Sequence, residues 1–260
     1  MGRVAAVRDR ERLAAFLRRD PALYAYHLGD LDPFFWPRTR WWGLEDDGAL
    51  REVALLYEGQ PSCLLALSRD PAGLRELLGD LQGDLPARVY AHLSPGALAG
   101  LPGWRSEPHG PHLKMRLVDP ARVAAPDAGA AVGLGPGDLA EVQALYARAY
   151  PGNWFDPRML ATGCYRGLRE RGELLAVAGV HVVSREFGVA ALGNVTTDPR
   201  ARGRGLAGLV TAAVVQGLRA QGVEEVGLNV HRDNAPAIAC YRRLGFEAAA
   251  EYEEHALERA

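Results

Sequence analysis

Apolar residues in the second half of the chain recur with spacings that alternate between helix and strand. Leu139, Val142 and Leu145 share one helical face, whereas residues 174–184 and 189–197 are long apolar runs typical of buried strands. The elements predicted here are, in order, an edge strand over 132–134, helices over 138–150 and from 156, strands over 174–184 and 189–197, a helix over 203–221, a strand over 225–230, a helix over 234–244 and closing strands over 246–257. This order predicts an α/β fold with a mixed sheet.

The first half of the chain predicts a similar order of elements. Asp9 and Asp20 each precede a helix-forming segment, and aromatic residues cluster from Phe34 to Trp42. We interpret that cluster as core, with the lining of an acceptor pocket as the alternative. The predicted elements are helices over 9–19 and 20–30, strands over 53–58 and 62–67, a helix over 70–81, and strands over 88–92 and 112–118.

A break in composition separates the two halves. Residues 120–136 are rich in alanine, glycine and proline, which favours a domain boundary near Ala125. We therefore predict two domains, 1–125 and 126–260. Their shared element order suggests an internal duplication.

Composition limits the classes of partner and compartment. The net charge of -2 provides no general attraction for nucleic acid or an anionic membrane, so neither is expected as a partner. Cys63, Cys164 and Cys240 are isolated, which argues against a disulfide framework or a structural zinc site. The start of the chain is charged, and no apolar run is long enough for a membrane helix. We expect a cytoplasmic protein without a bound metal.

Residues 197–207 carry the strongest functional signal. They read Thr-Asp-Pro-Arg-Ala-Arg-Gly-Arg-Gly-Leu-Ala between a predicted strand and a predicted helix. The first turn of a helix has main-chain N–H groups without helical partners, and glycines let a phosphate approach them closely. The arginines add charged donors. The segment therefore predicts a pyrophosphate site at a helix N-terminus.

A second segment follows after one further strand. Asn234 is suited to cap a helix, Pro236 lies in its first turn, and Gly245 ends it. Ala237 and Tyr241 are four residues apart and so share a helical face.

Together these segments resemble the GNAT superfamily of N-acetyltransferases. Residues 200–205 match its coenzyme A signature, Q/R-x-x-G-x-G/A, and residues 234–246 match its N-x-x-A, tyrosine and L-G-F pattern. The resemblance covers about residue 131 to the end. It implies two GNAT-like domains, each with a mixed, mostly antiparallel sheet flanked by helices, with the first degenerate because no R-x-x-G-x-G precedes the helix after Asp70.

The resemblance also implies roles for individual residues. Acetyl-CoA would be the cosubstrate, Asn234 would contact it, and Tyr241 would protonate the departing thiolate. The residues implied in binding the pyrophosphate are Arg202, Gly203, Arg204, Gly205, Leu206 and Ala207, and those implied in binding the pantetheine arm and thioester are Val195, Thr196 and Thr197.

The group that removes the proton from the amine is left open by the sequence. Many family members place a glutamate on the strand before the phosphate site, but residues 189–195 contain no carboxylate. His181 has a suitable pKa range for a base, although it also fits a core role. Asn194 could orient water or substrate, and Glu173, Glu253 or solvent are further alternatives.

The predicted function is transfer of an acetyl group from acetyl-CoA to an amine of a small molecule or peptide. One alternative is an acyl-CoA sensor without turnover, and another is a tandem aminoacyltransferase. A homodimer is compatible with the sequence, which does not name the acceptor.

Overall fold

The computed structural model describes residues 2–123 and 130–260. The predicted boundary between residues 125 and 126 lies outside these ranges. The chain forms two compact units. Unit 1 comprises Met1–Lys114, Val230–Asp233 and Ala248–Ala260, and unit 2 comprises Met115–Asn229 and Asn234–Glu247.

The strands and helices of the described residues follow the predicted order, with three further strands that the sequence did not predict, at Arg3–Ala6, Thr39–Asp46 and Tyr165–Glu170. In chain order they are β1 (Arg3–Ala6), α1 (Arg10–Leu17), α2 (Pro21–Asp30), β2 (Thr39–Asp46), β3 (Ala49–Tyr57), β4 (Cys63–Ala66), α3 (Pro71–Leu81), β5 (Arg88–Leu93), β6 (Trp104–Leu117), β7 (Val132–Leu134), α4 (Leu139–Ala149), β8 (Tyr165–Glu170), β9 (Glu173–Ser184), β10 (Val189–Thr197), α5 (Leu206–Arg219), β11 (Glu225–His231), α6 (Ala235–Arg243) and β12 (Phe246–Arg259). The segment after Asp156 forms a short 3-10 helix, Pro157–Thr162.

The sheet of unit 1 has the strand order β1-β2-β3-β4-β5-β12-β6. Strands β1 to β4 pair antiparallel, whereas β4 and β5 are parallel, with Cys63 opposite Tyr90 and Ala66 opposite Leu93. The last part of β12 pairs antiparallel with β5. The C-terminal segment of the chain therefore completes the sheet of unit 1.

Helix α3 supplies the main apolar layer over this sheet. Its leucines recur at helical spacing and pack against strand residues that include Leu64, Ala91 and Leu257. The buried leucines of α3 are Leu74, Leu77, Leu78 and Leu81. Each fully buried leucine contributes about 1.5–3 kcal/mol to stability. Trp41 and Trp42 are also buried, as the core interpretation of the aromatic cluster requires.

The sheet of unit 2 has the strand order β11-β10-β9-β8-β7. Only β10 and β11 are parallel, and the other neighbours are antiparallel. Helix α4 packs in an apolar cluster with Tyr165 and Val177 through Val142, Leu145 and Tyr146. Both units therefore contain a mixed, mostly antiparallel sheet with flanking helices, which confirms the predicted fold class. Within residues 2–123 and 130–260, every helix is too short or too polar to cross a membrane.

One buried histidine of unit 1 gives a pH dependence to stability. His27 is fully buried, and its Nε2 lies 3.3 Å from the main-chain oxygen of Leu65. Burial lowers the pKa of His27 to about 3, against 6.5 for a free imidazole. Between those values the unfolded chain binds a proton that the folded chain does not, so stability falls as the pH falls through this window.

We expect the substitution His27→Gln to remove this contribution. Near pH 5, unfolding of the variant should take up about one proton fewer than unfolding of the native chain. The measurement is the slope of the free energy of unfolding against pH for both proteins. Other groups, such as Glu52, whose pKa burial raises to about 7, contribute equally to both slopes. The exposed His109, replaced by glutamine, is the matched control. Equal slopes for the native chain and His27→Gln would contradict the neutral buried state.

Candidate active site

Strand β10 separates from β11 partway along its length. Their parallel pairing runs from Val189 opposite Glu225 to Leu192 opposite Leu228, but β10 continues to Thr197. The pairing of β10 with β9 is also irregular between Gly193 and Thr196. These features form an opening in the sheet beside residues 193–197. Val195, Thr196 and Thr197 lie along it, where sequence analysis predicted contact with the pantetheine arm.

Asn194 stabilises the irregular turn of β10 from inside the protein. Its φ of 57° lies in the left-handed region, which asparagine adopts more readily than most residues. Its side-chain Nδ2 donates to the hydroxyl of Tyr165 at 2.9 Å, and its main-chain oxygen accepts from the hydroxyl of Tyr146 at 3.0 Å. The side chain is therefore directed into the core, where it can position the main chain of β10.

His181 lies directly over the same part of β10. A Cβ atom added at Gly193 would lie 2.0 Å from the Cδ2 atom of His181, so glycine leaves the room that the imidazole occupies. The ring of Trp154 lies 5.8 Å from the ring of His181, between centroids. The imidazole is thus held beside the main chain of β10.

The turn after β10 is fixed by Asp198. This residue is 1% exposed, its Oδ1 accepts from the main-chain N–H of Arg200 at 3.0 Å, and its Oδ2 lies 3.3 Å from Arg148. Hydrogen bonds from Arg200 hold the pKa of Asp198 well below its ordinary value. The carboxylate is therefore charged and structural, and it directs the chain into the glycine-rich segment.

The glycine-rich segment leaves open space at the start of α5. Gly203 and Gly205 both have φ of 78°, and a Cβ at either position would meet no atom within 4 Å. Gly205 is the N-cap of α5, and no side chain of the described residues caps this helix. The N–H groups of Leu206 and Ala207 are in the first turn, so the helix N-terminus can receive an anion.

The two arginines of the segment lie at its exposed rim. Arg202 donates to the main-chain oxygen of Ala149 at 3.1 Å, and Arg204 is ion-paired with Glu170. Arg204 would therefore exchange the carboxylate of Glu170 for a phosphate when it binds one.

Helix α6 brings Tyr241 to the same region. Asn234 caps the helix by accepting from the main-chain N–H of Ala237 at 3.2 Å. The helix packs closely on α5, where Cys240 Sγ lies 3.4 Å from the position of a Cβ at Gly208. Tyr241 is 9% exposed, and burial raises its pKa well above that of a free phenol. The hydroxyl therefore keeps its proton at neutral pH, as a proton donor must.

Two carboxylates near the glycine-rich segment are ion-paired with arginines. Glu173 is ion-paired with Arg200, and Glu170 with Arg204. Among the residues that the structure describes, no group of three or more His, Cys, Asp or Glu side chains could hold a metal ion. The sequence did not assign Tyr146 and Tyr165, which hydrogen-bond to Asn194, or Trp154, whose ring lies beside that of His181, because each comes from a distant part of the chain.

The corresponding region of unit 1 is closed. Hydrogen bonds between Ser68 and Ser94 join the segments that follow β4 and β5. The main-chain N–H of Ser68 donates to Ser94 Oγ at 2.8 Å, and Ser94 Oγ donates to the main-chain oxygen of Ser68 at 2.9 Å. The N-terminus of α3 is capped by Asp70, whose Oδ1 accepts from the N–H of Ala72 at 3.0 Å. A carboxylate thus occupies the position that would receive a phosphate.

The comparisons with known proteins agree with the resemblance found in the sequence. Residues 139–246 match the model of the Acetyltransferase (GNAT) family. Mycothiol acetyltransferase of Clavibacter michiganensis is 40% identical over 97 residues, which is 37% of this chain and 29% of the relative. That of Mycobacteroides abscessus is 35% identical over 117 residues, 44% of this chain and 35% of the relative. The chain thus matches about a third of the length of these relatives.

Solved structures extend the likeness to the whole chain. A GNAT-family acetyltransferase of Novosphingobium aromaticivorans is 27% identical, with a TM-score of 0.58, and the alignment covers 80% of this chain and 88% of that one. A tandem GNAT protein from the clavulanic acid biosynthesis pathway has a TM-score of 0.54 at 16% identity and covers 99% of both chains. The second likeness concerns the fold alone, and it agrees with two GNAT-like domains.

Proposed function

We propose that unit 2 transfers an acetyl group from acetyl-CoA to a primary amine of a small molecule or peptide. The observation that carries this proposal is the opening beside β10, which leads directly to the uncapped N-terminus of α5. In acetyl-CoA an extended arm that ends in the thioester is followed by a pyrophosphate. The arm fits the opening beside β10, and the pyrophosphate fits the N-terminus of α5. The names of the relatives make the acceptor of the mycothiol acetyltransferases the first amine to test.

Binding of acetyl-CoA would use main-chain groups of unit 2 at both ends. The N–H groups of residues 203–207 would donate to the pyrophosphate, with Arg202 and Arg204 as charged donors. Main-chain groups of residues 195–197 would contact the pantetheine arm, and donors there would stabilise the negative charge that develops on the thioester oxygen. Asn234 would contact the coenzyme beside them.

Proton transfer would be divided between two side chains. His181 would accept the proton of the amine as it attacks the thioester carbon, because a neutral imidazole is a base near pH 7. Tyr241 would donate its proton to the departing thiolate. Asn194 would act on the geometry of β10 through Tyr165 and not on the reacting atoms, which makes it a positioning residue in this proposal.

The first test is calorimetric titration with acetyl-CoA, followed by thiol release with a panel of amines. We expect binding together with amine-dependent thiol release. Binding without release by any amine would favour a sensor, and absence of binding would refute the assignment of the phosphate site. The panel should include the acceptor of the mycothiol acetyltransferases.

Removal of both rim arginines should weaken coenzyme binding selectively. For Arg202→Ala combined with Arg204→Ala, we expect the Kd of acetyl-CoA to rise about 10–100-fold with little change in kcat, because a hydrogen bond to a charged group contributes about 1.5–3 kcal/mol. Calorimetry and steady-state kinetics measure the two quantities.

A matched control for the arginine variant lies on the same helix. Arg219 ends α5 and is exposed, so Arg219→Ala removes a similar charge at the opposite end. It should leave the Kd unchanged. Glu170→Ala releases Arg204 and should strengthen binding. If the double variant bound acetyl-CoA as tightly as the native chain, the phosphate assignment would fail.

A further inference from the structure

Unit 1 contains a buried group of polar side chains that acetyl transfer in unit 2 does not use. Its members come from α2, β5, β6 and β12. We call it the lysine cluster, and it comprises Tyr26, His92, His112, Lys114, Tyr252 and Glu254. Lys114 is the one lysine in a sequence of 260 residues. Apart from histidine, every other basic side chain in the sequence is an arginine.

The ammonium group of Lys114 lies over two aromatic rings. The side chain is 2% exposed, and Nζ is 4.7 Å from the ring centroid of Tyr26 and 5.3 Å from that of Tyr252. Both distances are within the roughly 6 Å over which a ring face attracts a cation. Burial lowers the pKa of Lys114 to about 7, while the charge of Glu254 acts in the opposite direction.

Glu254 supplies the opposite charge, and its neighbours keep it ionised. Its Oε1 accepts from the hydroxyl of Tyr252 at 2.6 Å, its Oε2 accepts from the hydroxyl of Tyr90, and the Nε2 atoms of His92 and His112 each lie 3.5 Å from Oε1. Burial raises the pKa of Glu254, whereas the two histidines, once protonated in acid, and the two hydroxyl hydrogen bonds lower it to about 2.

The histidines around the carboxylate do not compete as cations near neutral pH. Burial lowers the pKa of His92 to about 4 and also lowers that of His112. The other titratable groups that influence the cluster electrostatically include His27 on α2 and Cys63 on β4, and also His109 and His231, which act on His112. Burial favours the neutral forms of His27 and Cys63. The ionised carboxylate therefore faces two phenol hydroxyls that donate to it and two imidazoles whose burial disfavours a positive charge.

We propose that the lysine cluster is a binding site for a primary ammonium group and that Lys114 occupies it as an internal ligand. A carboxylate with flanking ring faces is the arrangement that recognises an ammonium in a partly desolvated site. The phenol hydroxyls of Tyr252 and Tyr90 donate to the carboxylate oxygens without adding positive charge. The side chain of Lys114 beyond Cβ has the atoms of n-propylamine, so that molecule is the ligand to which the site is matched.

The test is chemical rescue of Lys114→Ala by n-propylammonium. We expect this variant to unfold at a lower temperature than the native chain, and n-propylammonium chloride to raise its midpoint in a saturable way. For a ligand of four heavy atoms the Kd should be on the order of millimolar. The titration should be made at about pH 6, below the pKa of about 7 for Lys114, so that the site is tested with a charged ligand.

Three controls decide between ammonium recognition and simple filling of space. The uncharged 1-propanol has the same size, the native chain has its site filled, and Lys114→Met fills it with an apolar side chain. We expect little response in each control. Equal stabilisation of the alanine variant by propanol and propylammonium would overturn the proposal, as would an equal response of the native chain, or no response at all.

A second readout applies if Lys114→Ala does not fold alone. Recovery of folded protein from denaturant in n-propylammonium, but not in 1-propanol, would support the proposal, and recovery in neither would count against it. Glu254→Gln provides an independent check, because it should lower the unfolding midpoint of the native chain more than that of Lys114→Met. Equal losses would mean that the carboxylate does not recognise the ammonium.

Discussion

Tyr241→Phe should lower kcat by about 10²–10⁴-fold while the Kd of acetyl-CoA stays within about twofold, because one positioned acid contributes that much to the rate. Tyr241 lies on α6, next to α5, whose N-terminus is the proposed phosphate site. A phenol is protonated at neutral pH, and burial raises the pKa of Tyr241 further. Phenylalanine preserves the packing against Phe246, whose ring centroid lies 6.1 Å away.

A neighbouring tyrosine provides the matched control. Tyr150 is 49% exposed and lies close enough to influence the pKa of Tyr241. Tyr150→Phe should leave kcat within about twofold of the native value. A large loss of kcat in Tyr150→Phe, with Tyr241→Phe active, would transfer the acid role to Tyr150. A raised KM at constant kcat in Tyr241→Phe would remove the acid role and leave only a contribution to binding.

The second large effect is expected at Asn194, where substitutions should separate backbone geometry from chemistry. Asn194→Val places a β-branched side chain at a φ of 57° and removes the hydrogen bond to Tyr165. Strain of about 1–3 kcal/mol and a similar loss for the unsatisfied partner should destabilise unit 2 and abolish acetyl-CoA binding. Asn194→Gly tolerates the same φ and loses the side-chain bond alone, so it should fold and keep part of its activity.

The matched variant removes the partner of Asn194 instead. Tyr165→Phe deletes the hydroxyl that accepts from Nδ2 and that also donates to the main-chain oxygen of Val180 at 3.2 Å. It should therefore resemble Asn194→Gly in kcat/KM, with a thermal midpoint at least as low. Thermal unfolding and acetyl-CoA titration of the three variants give the comparison. If valine and glycine at position 194 lowered kcat equally and left stability unchanged, Asn194 would act on the reacting atoms and the positioning role would be wrong.

Local signals explain why much of the fold could be predicted. Asp20 before Pro21 and Asn234 before Pro236 mark helix starts with bonds that form within a few residues, and the structure contains both caps. The glycine-rich segment is equally local, since both positive φ angles and the helix start lie within residues 203–206. Such features can be predicted from a few neighbouring residues, without reference to the rest of the chain.

Features that depend on distant pairing could not be predicted in this way. The last part of β12 pairs with β5, which lies more than 150 residues earlier in the chain. The alternation of apolar and polar residues in β12 predicts a strand but does not indicate which strand is its partner. Strand β2 was missed because its aromatic residues, Trp41 and Trp42, suggested a cluster more than a strand. The inward direction of Asn194 depends on Tyr165 and Tyr146, whose positions no local pattern reveals.

The closed region of unit 1 has a consequence for ligand-binding curves. Ser68 and Ser94 hold the strands together, and Asp70 occupies the helix N-terminus, so the proposed coenzyme position in unit 2 has no open counterpart among the described residues of unit 1. On the proposed function, residues 2–123 and 130–260 therefore offer acetyl-CoA one position, with no second to which it could be coupled. Titration curves should be hyperbolic with a Hill coefficient of about 1. Any sigmoidal response would have to come from association between chains.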